Sequence, residues 1–167
     1  VYIGIDLAGF KQEGQRKTKK RDDSAISVVY VNGEGHWYVE DIIHGQWSLD
    51  ETCQKIFRAV EVHRPRTTGI EKGIAQQAVF SPLKDMMRRT SRVFNLEALS
   101  HGNQKKADRV LWALAGRFEN NLIHLKKADW NERFEDEAGN FPSVLVHDDL
   151  IDSLSYVDQM AQVPYFS

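Results

Sequence analysis

The sequence predicts a single α/β domain on a mixed central sheet, with three antiparallel strands followed by alternating helices and strands, and helices flanking the sheet. Its first forty-five residues hold three strand-like runs, and the second and third enclose "NGEG", whose Asn32-Gly33 pair is a strong hairpin signal. From Ser48 onward, helical-period segments alternate with short runs rich in β-branched residues, the pattern of a sheet covered by helices. A length of 167 residues, 41% of them hydrophobic, suits one folding unit with its own core.

"VYIGIDLAG" alternates β-branched and aromatic residues and leaves for a loop at Gly9. After the basic loop "FKQEGQRKTKKRDD" come the hairpin strands "SAISVVYV" and "HWYVEDIIHG". "SLDETCQKIFRAVEVHRP" places Leu49, Cys53, Ile56, Phe57 and Val60 at helical spacing. It starts on Ser48, with Glu51 three residues later as a capping box, and stops before Pro65. A short strand "TTGIEKG", a helix through "AQQAVFSPLKDMMRRT" and a strand "RVFNLEAL" follow. The helix "NQKKADRVLWALAGRFEN" carries Val110, Leu111, Leu114 and Phe118 on one side. The strand "LIHLKKA" then leads through a variable connection, "DWNERFEDEAGNFPSVL", to a last helix in "VHDDLIDSL", where Leu150, Leu154 and Val157 share a face fit to pack on the sheet.

Composition narrows the function classes. A formal net charge of −2 gives no global attraction to polyanions, so nucleic-acid binding has to come from local basic patches. The one cysteine, Cys53, cannot form an internal disulfide and reads as a core thiol in a reducing compartment. No apolar run approaches the ~20 residues that span a bilayer, so a soluble, non-secreted protein is expected. Trp37, Trp47, Trp112 and Trp130 read as core or packing residues. The abrupt start on a strand suggests a domain, residues 1–167, excised from a longer chain.

The carboxylates carry the chemistry. Asp6 sits in an apolar strand where an unpaired charge is expensive, and Glu71 repeats the pattern in "TTGIEKG". Neighbouring strands would bring the two together at one sheet edge. On the last helix Asp149 and Asp152 are three apart and Asp148 and Asp152 four apart, which places these pairs on one face. Asp148 is also a natural N-cap. Carboxylates converging from distant segments repel one another unless a cation lies between them, and an oxygen-only cage favours Mg²⁺ or Mn²⁺. Two such ions about 4 Å apart can clamp both oxygens of a phosphodiester displacement, so metal-assisted hydrolysis of nucleic acid is the chemistry implied.

"YIGIDLAG", the basic loop leading into "DDSAISVVYV", "TTGIEKG" and "VHDDLIDSLSYV", taken in this order, resemble the RNase H-like nuclease domain of bacteriophage large terminase subunits, the motors that package and cut viral DNA. The resemblance covers nearly the whole chain. It implies an endonuclease of low sequence specificity that cuts concatemeric DNA, with Asp6, Glu71, Asp149 and Asp152 as catalytic ligands of two divalent cations, and with portal protein and small terminase subunit as partners in the host cytoplasm. An ATPase domain would precede Val1; the present sequence has no G-x-x-x-x-G-K-[ST] loop. Asp23 falls where relatives often have an acidic residue, and His147 stands beside the aspartate cluster. A Holliday-junction resolvase or an RNase H-type enzyme would share this carboxylate logic. The reading from another class is a non-catalytic DNA- or capsid-docking module with a structural ion.

Lys17, Lys19, Lys20 and Arg21 in the basic loop, and Lys105, Lys106 and Arg109 at the start of the penultimate helix, are the expected contacts to double-stranded DNA. Arg88, Arg89 and Arg92 are further candidates. Without a base-reading motif, such contacts position a duplex but do not select a sequence.

Overall fold

The computed structural model describes residues 1–10, 22–100, 103–143 and 147–161. Strands β1 (Tyr2–Asp6), β2 (Ser24–Val31) and β3 (Trp37–Gly45) are consecutive antiparallel neighbours. A register shift between Val28 and Val29 accommodates one extra residue of β3. Helix α1 (Leu49–His63) starts on Ser48, whose hydroxyl accepts the Glu51 N–H, and leads to β4 (Thr67–Glu71), parallel to β1. Next come α2 (Ile74–Thr90), β5 (Leu96–Leu99), α3 (Lys106–Glu119), β6 (Ile123–Leu125), α4 (Asn131–Asn140), α5 (Asp149–Ser155) and the single turn α6 (Val157–Met160). The sheet order is β5-β4-β1-β2-β3-β6. No helix among the described residues is long and apolar enough to cross a membrane.

Strand periodicity divides the core between the two faces. Ile3 and Ile5 of β1, Ile26 and Val28 of β2 and Ile70 of β4 pack with Cys53, Ile56, Ala59 and Val60 of α1 and Val79 and Leu83 of α2. Cys53 is thus a buried core thiol, and burial pushes its pKa up to about 11. On the other face Ala25, Val29, Trp37 and Val39 pack with α3, with Phe134 of α4, and with Leu150, Ile151, Leu154 and Val157. The even-numbered residues of β1 point to this second face, which matters for Gly4 and Asp6.

Gly4 lies directly under α5. A Cβ there would stand 2.4 Å from the backbone carbonyl oxygen of Ser153, an atom that cannot yield without moving the helix. Gly69 is equally crowded, but by the flexible ends of Leu99 and Met160, both 2.6 Å away. Gly4→Ala is therefore expected to destabilise by about 3 kcal/mol or more, and Gly69→Ala by clearly less. Thermal unfolding of the two variants checks the order, and equal losses would contradict it.

Four expectations change. The strand expected at 92–99 is only Leu96–Leu99. The stretch expected to be a variable connection contains α4, whose buried positions are only Phe134 and Glu137, too few to make an apolar stripe. On α3 the buried residues are Arg109, Val110, Ala113 and Leu114, while Leu111 is 46% exposed. The helix is turned so that Arg109 faces the acidic residues of α5. That same turn leaves Trp112 83% exposed, whereas Trp37, Trp47 and Trp130 are buried.

Candidate metal centre

Asp6 and Glu71 end two parallel neighbours whose register pairs Ile5 with Ile70. Each lies one residue beyond that pair, so both face α5. The helix is seated by the close approach of Ser153 to Gly4 and by a 2.6 Å hydrogen bond between the Ser27 and Ser153 hydroxyls. Asp152, immediately before Ser153, completes the group. One oxygen each from Asp6, Glu71 and Asp152 lies within 4.8 Å of the others.

Two cations and a phenol hold this group in place. The buried Arg109 guanidinium donates to Asp152 Oδ1 at 2.7 Å and to Ser155 Oγ at 2.9 Å, and stacks 4.7 Å above the Tyr156 ring. Lys106 Nζ sits 3.1 Å from Asp152 Oδ2 and donates to Asp148 Oδ1 at 3.0 Å. Burial acts against the lysine's charge, but Asp152, Asp148 and Asp6 outweigh it and raise its pKa. The Tyr156 hydroxyl donates to Glu71 Oε2 at 2.6 Å.

Among the described residues no hydrogen bond or ion pair reaches the buried Asp6 carboxyl. Burial, then Asp152, Asp149 and Glu71, push its pKa well above the carboxylate range, with Lys106 opposing. With all four ionised, Asp6, Glu71, Asp148 and Asp152 exceed Lys106 and Arg109 by two negative charges, a repulsion that the raised Asp6 pKa reflects. That imbalance, an all-oxygen donor set and a carboxyl without a partner fit a hard divalent cation.

The structure brings together three of the four expected ligands and places Asp149 elsewhere. Asp149 Oδ2 accepts the Asp23 N–H at 3.0 Å and Arg133 Nη2 at 3.2 Å. Asp23 also receives Arg133 Nη1 at 2.6 Å and pairs with His44 at 3.2 Å. A ligand atom of Asp149 also lies within 4.8 Å of Asp22 and His147, which are joined at 2.7 Å. Asp148 occupies the N-cap position of α5, but its side chain makes no cap, because its carboxylate is turned to Lys106.

Of the expected DNA contacts, Lys17, Lys19, Lys20 and Arg21 lie outside the described residues. Lys105 and Lys106 are both exposed at the start of α3, Lys106 at the rim of the carboxylate group. Arg109 is only 6% exposed, so its guanidinium serves Asp152 rather than the surface. Arg88 and Arg89 pair with Asp85, and Arg92 with Glu61. Sequence reasoning missed Tyr156, Arg133 and Glu137. The signal for Tyr156 was its position one helical turn past Asp152; α4 offered no comparable signal.

Burial pushes Asp149 up to about 6, and Glu137 up to about 7 despite its bonds to Arg133 and the α5 backbone. In the folded chain Asp149 keeps its proton up to about pH 6 and Glu137 up to about pH 7, whereas the unfolded chain releases both near pH 4. More protons bound in the native state means that stability falls as pH rises through this window. Asp23 acts outside it: burial opposes its charge, but His44 and Arg133 hold it at about 2, so its contribution is lost only at lower pH. The unfolding temperature of the metal-free protein is therefore expected to decline from about pH 4.5 to 7.5, and Glu137→Gln to flatten the decline. Melts at fixed ionic strength check this, and a rising profile would refute it.

No protein-family model matches the sequence, and no curated protein matches it. Solved structures do resemble it in fold. The yeast mitochondrial Holliday junction resolvase Ydc2 superposes with a TM-score of 0.59 at 12% identity, over 94% of this chain and 75% of the resolvase. The large terminase of the thermophilic bacteriophage D6E gives 0.61 at 10% identity, over 96% of this chain but only 38% of the terminase. RuvC of T. thermophilus, in complex with a Holliday junction substrate, gives 0.52 at 12% identity, over 96% of both chains. With its mixed six-stranded sheet, helices on both faces and these neighbours, the chain has the RNase H-like fold.

Proposed function

We propose that this domain is a divalent-cation-dependent DNA endonuclease that hydrolyses phosphodiesters with low sequence specificity. One observation carries the reading: Asp6, Glu71 and Asp152 meet at the end of the sheet, and when all three are ionised they carry more negative charge than Lys106 and Arg109 balance. These three residues would hold Mg²⁺ or Mn²⁺, and two such ions, when bound, supply charge stabilisation and an activated water. The chain's own residues orient the ligands. Tyr156 fixes one oxygen of Glu71, Arg109 and Lys106 take one oxygen of Asp152 each, and Lys106 stands at the rim where a phosphate would arrive.

The finer reading is the nuclease part of a phage packaging motor, which cuts concatemeric DNA and has portal protein and small terminase subunit as partners. A second reading, a Holliday-junction resolvase, is supported by the superposition of the fold on the resolvases Ydc2 and RuvC. Mn²⁺-dependent cleavage of linear duplex, four-way junction and RNA/DNA hybrid separates them. The packaging reading expects broad cutting of duplex, and exclusive junction cutting would overturn it. No cleavage of any substrate would leave the docking module.

Replacing both Lys19 and Lys20 by Ala is expected to weaken duplex binding and flatten its dependence on log salt by about 2, one phosphate per lysine. Mn²⁺ affinity should stay unchanged in that variant, and its loss would place the loop in the metal centre.

A further inference from the structure

We propose that Arg133 and Glu137 of α4 are positioning residues for the carboxylate centre: they cap α5 from outside the helix and set where Asp152 faces Asp6 and Glu71. The proposal rests on the metal-centre reading. Helix α5 has seven residues, too few to hold itself in place, so its position depends on what grips it. Its own N-cap residue gives no help, because Asp148 is committed to Lys106 at 3.0 Å. Glu137 takes over that task. Its Oε1 accepts the N–H groups of Leu150 at 2.9 Å and Ile151 at 3.3 Å, donors that a helix start otherwise leaves unmatched.

Arg133 locks the arrangement. Its Nε donates to Glu137 Oε2 at 3.0 Å, Nη2 reaches Asp149 at 3.2 Å and Nη1 reaches Asp23 at 2.6 Å. Asp23 in turn donates its own N–H to Asp149 at 3.0 Å. The first turn of α5 is thereby tied to α4 and to the residue that precedes β2. Glu137 is 2% exposed and has no route to solvent as a substitute. Ile151, one of the two gripped residues, is followed directly by Asp152, so a shift of this turn moves the Asp152 carboxylate. Neither Arg133 nor Glu137 belongs to the three-carboxylate group, so both act through Asp152.

Hydrogen exchange in the metal-free full chain reads the cap without any metal. Glu137→Ala is expected to speed exchange over 150–155 about tenfold, as loss of a cap does, while Glu137→Gln, which keeps an acceptor oxygen, restores protection. Mn²⁺ titration by calorimetry then reads the consequence. Affinity should fall about 10- to 100-fold in Glu137→Ala, recover in Glu137→Gln and fall measurably in Arg133→Gln, whose side chain is one-third exposed and tolerates change. A helper of stability alone would leave the Mn²⁺ affinity of the folded variants unchanged, and that result overturns the proposal. If Glu137→Ala does not fold, Arg133→Gln decides by the same criterion. A wild-type chain that binds no Mn²⁺ overturns the metal centre, and unchanged exchange in the variants overturns the cap.

Discussion

Asp6→Asn and Asp152→Asn are expected to abolish Mn²⁺-dependent nicking alike, by at least about 10³-fold, and to move stability in opposite directions. Losing a cation ligand removes binding and transition-state stabilisation together, which explains the common effect. The divergence comes from the neighbours. Asp6 is a buried carboxyl with no ion pair among the described residues, and burial, Asp152, Asp149 and Glu71 all penalise its charge. An amide of the same shape removes that penalty, so at pH 8 the metal-free Asp6→Asn variant should melt higher, by about 2–4 °C for each kcal/mol relieved. Asp152 is the counter-charge of Arg109 at 2.7 Å and Lys106 at 3.1 Å. Its amide leaves a buried guanidinium unbalanced, and the variant should melt lower. Calorimetric scans in EDTA beside plasmid nicking in Mn²⁺ check both halves. A destabilised Asp6→Asn would mean that a partner other than a metal holds that carboxyl.

This contrast marks how far the sequence could be read. Asp6 and Glu71 were recognisable because each is an acidic residue at the end of a short apolar strand, and strand parity alone sends both to one face once β1 and β4 are neighbours. That Asp152 faces Asp6 and Glu71 while Asp149, expected beside it as a ligand, turns away was not readable. A spacing of three puts both on one helix face, and what separates them is Arg133, which draws Asp149 toward Asp23. Arg133 comes from α4, whose sequence "NERFEDEAGN" has one buried apolar side chain and so no periodic signal. Arg109 was misplaced for a related reason. A charged residue in a basic cluster is exposed by default, and only the tertiary pairing with Asp152 brings it inside. The succession of strands and helices along the chain was clearer, because the hairpin signal and the alternation of short strands with helices depend on local chemistry.

Arg109→Met is expected to cost about 3 kcal/mol in the metal-free protein and to make that protein more responsive to Mn²⁺ than the wild type. Removing one partner of a buried ion pair leaves the other charge without compensation, which costs about 3–5 kcal/mol, and Lys106 near the second oxygen of Asp152 keeps the loss at the lower end. Arg109→Met combined with Asp152→Asn should recover most of this loss, because neither charge then remains, and a double-mutant cycle measures the coupling. The metal response follows from the same electrostatics. Arg109 and a divalent cation both neutralise Asp152, so the guanidinium lowers the centre's affinity for the ion. Without it, bound Mn²⁺ is the main compensation left, and stabilisation by a ligand grows with its affinity for the native state. The rise in unfolding temperature between EDTA and saturating Mn²⁺ should therefore be larger in Arg109→Met than in the wild type. An equal or smaller rise would mean that the orienting of Asp152 by Arg109 outweighs its competition with the ion.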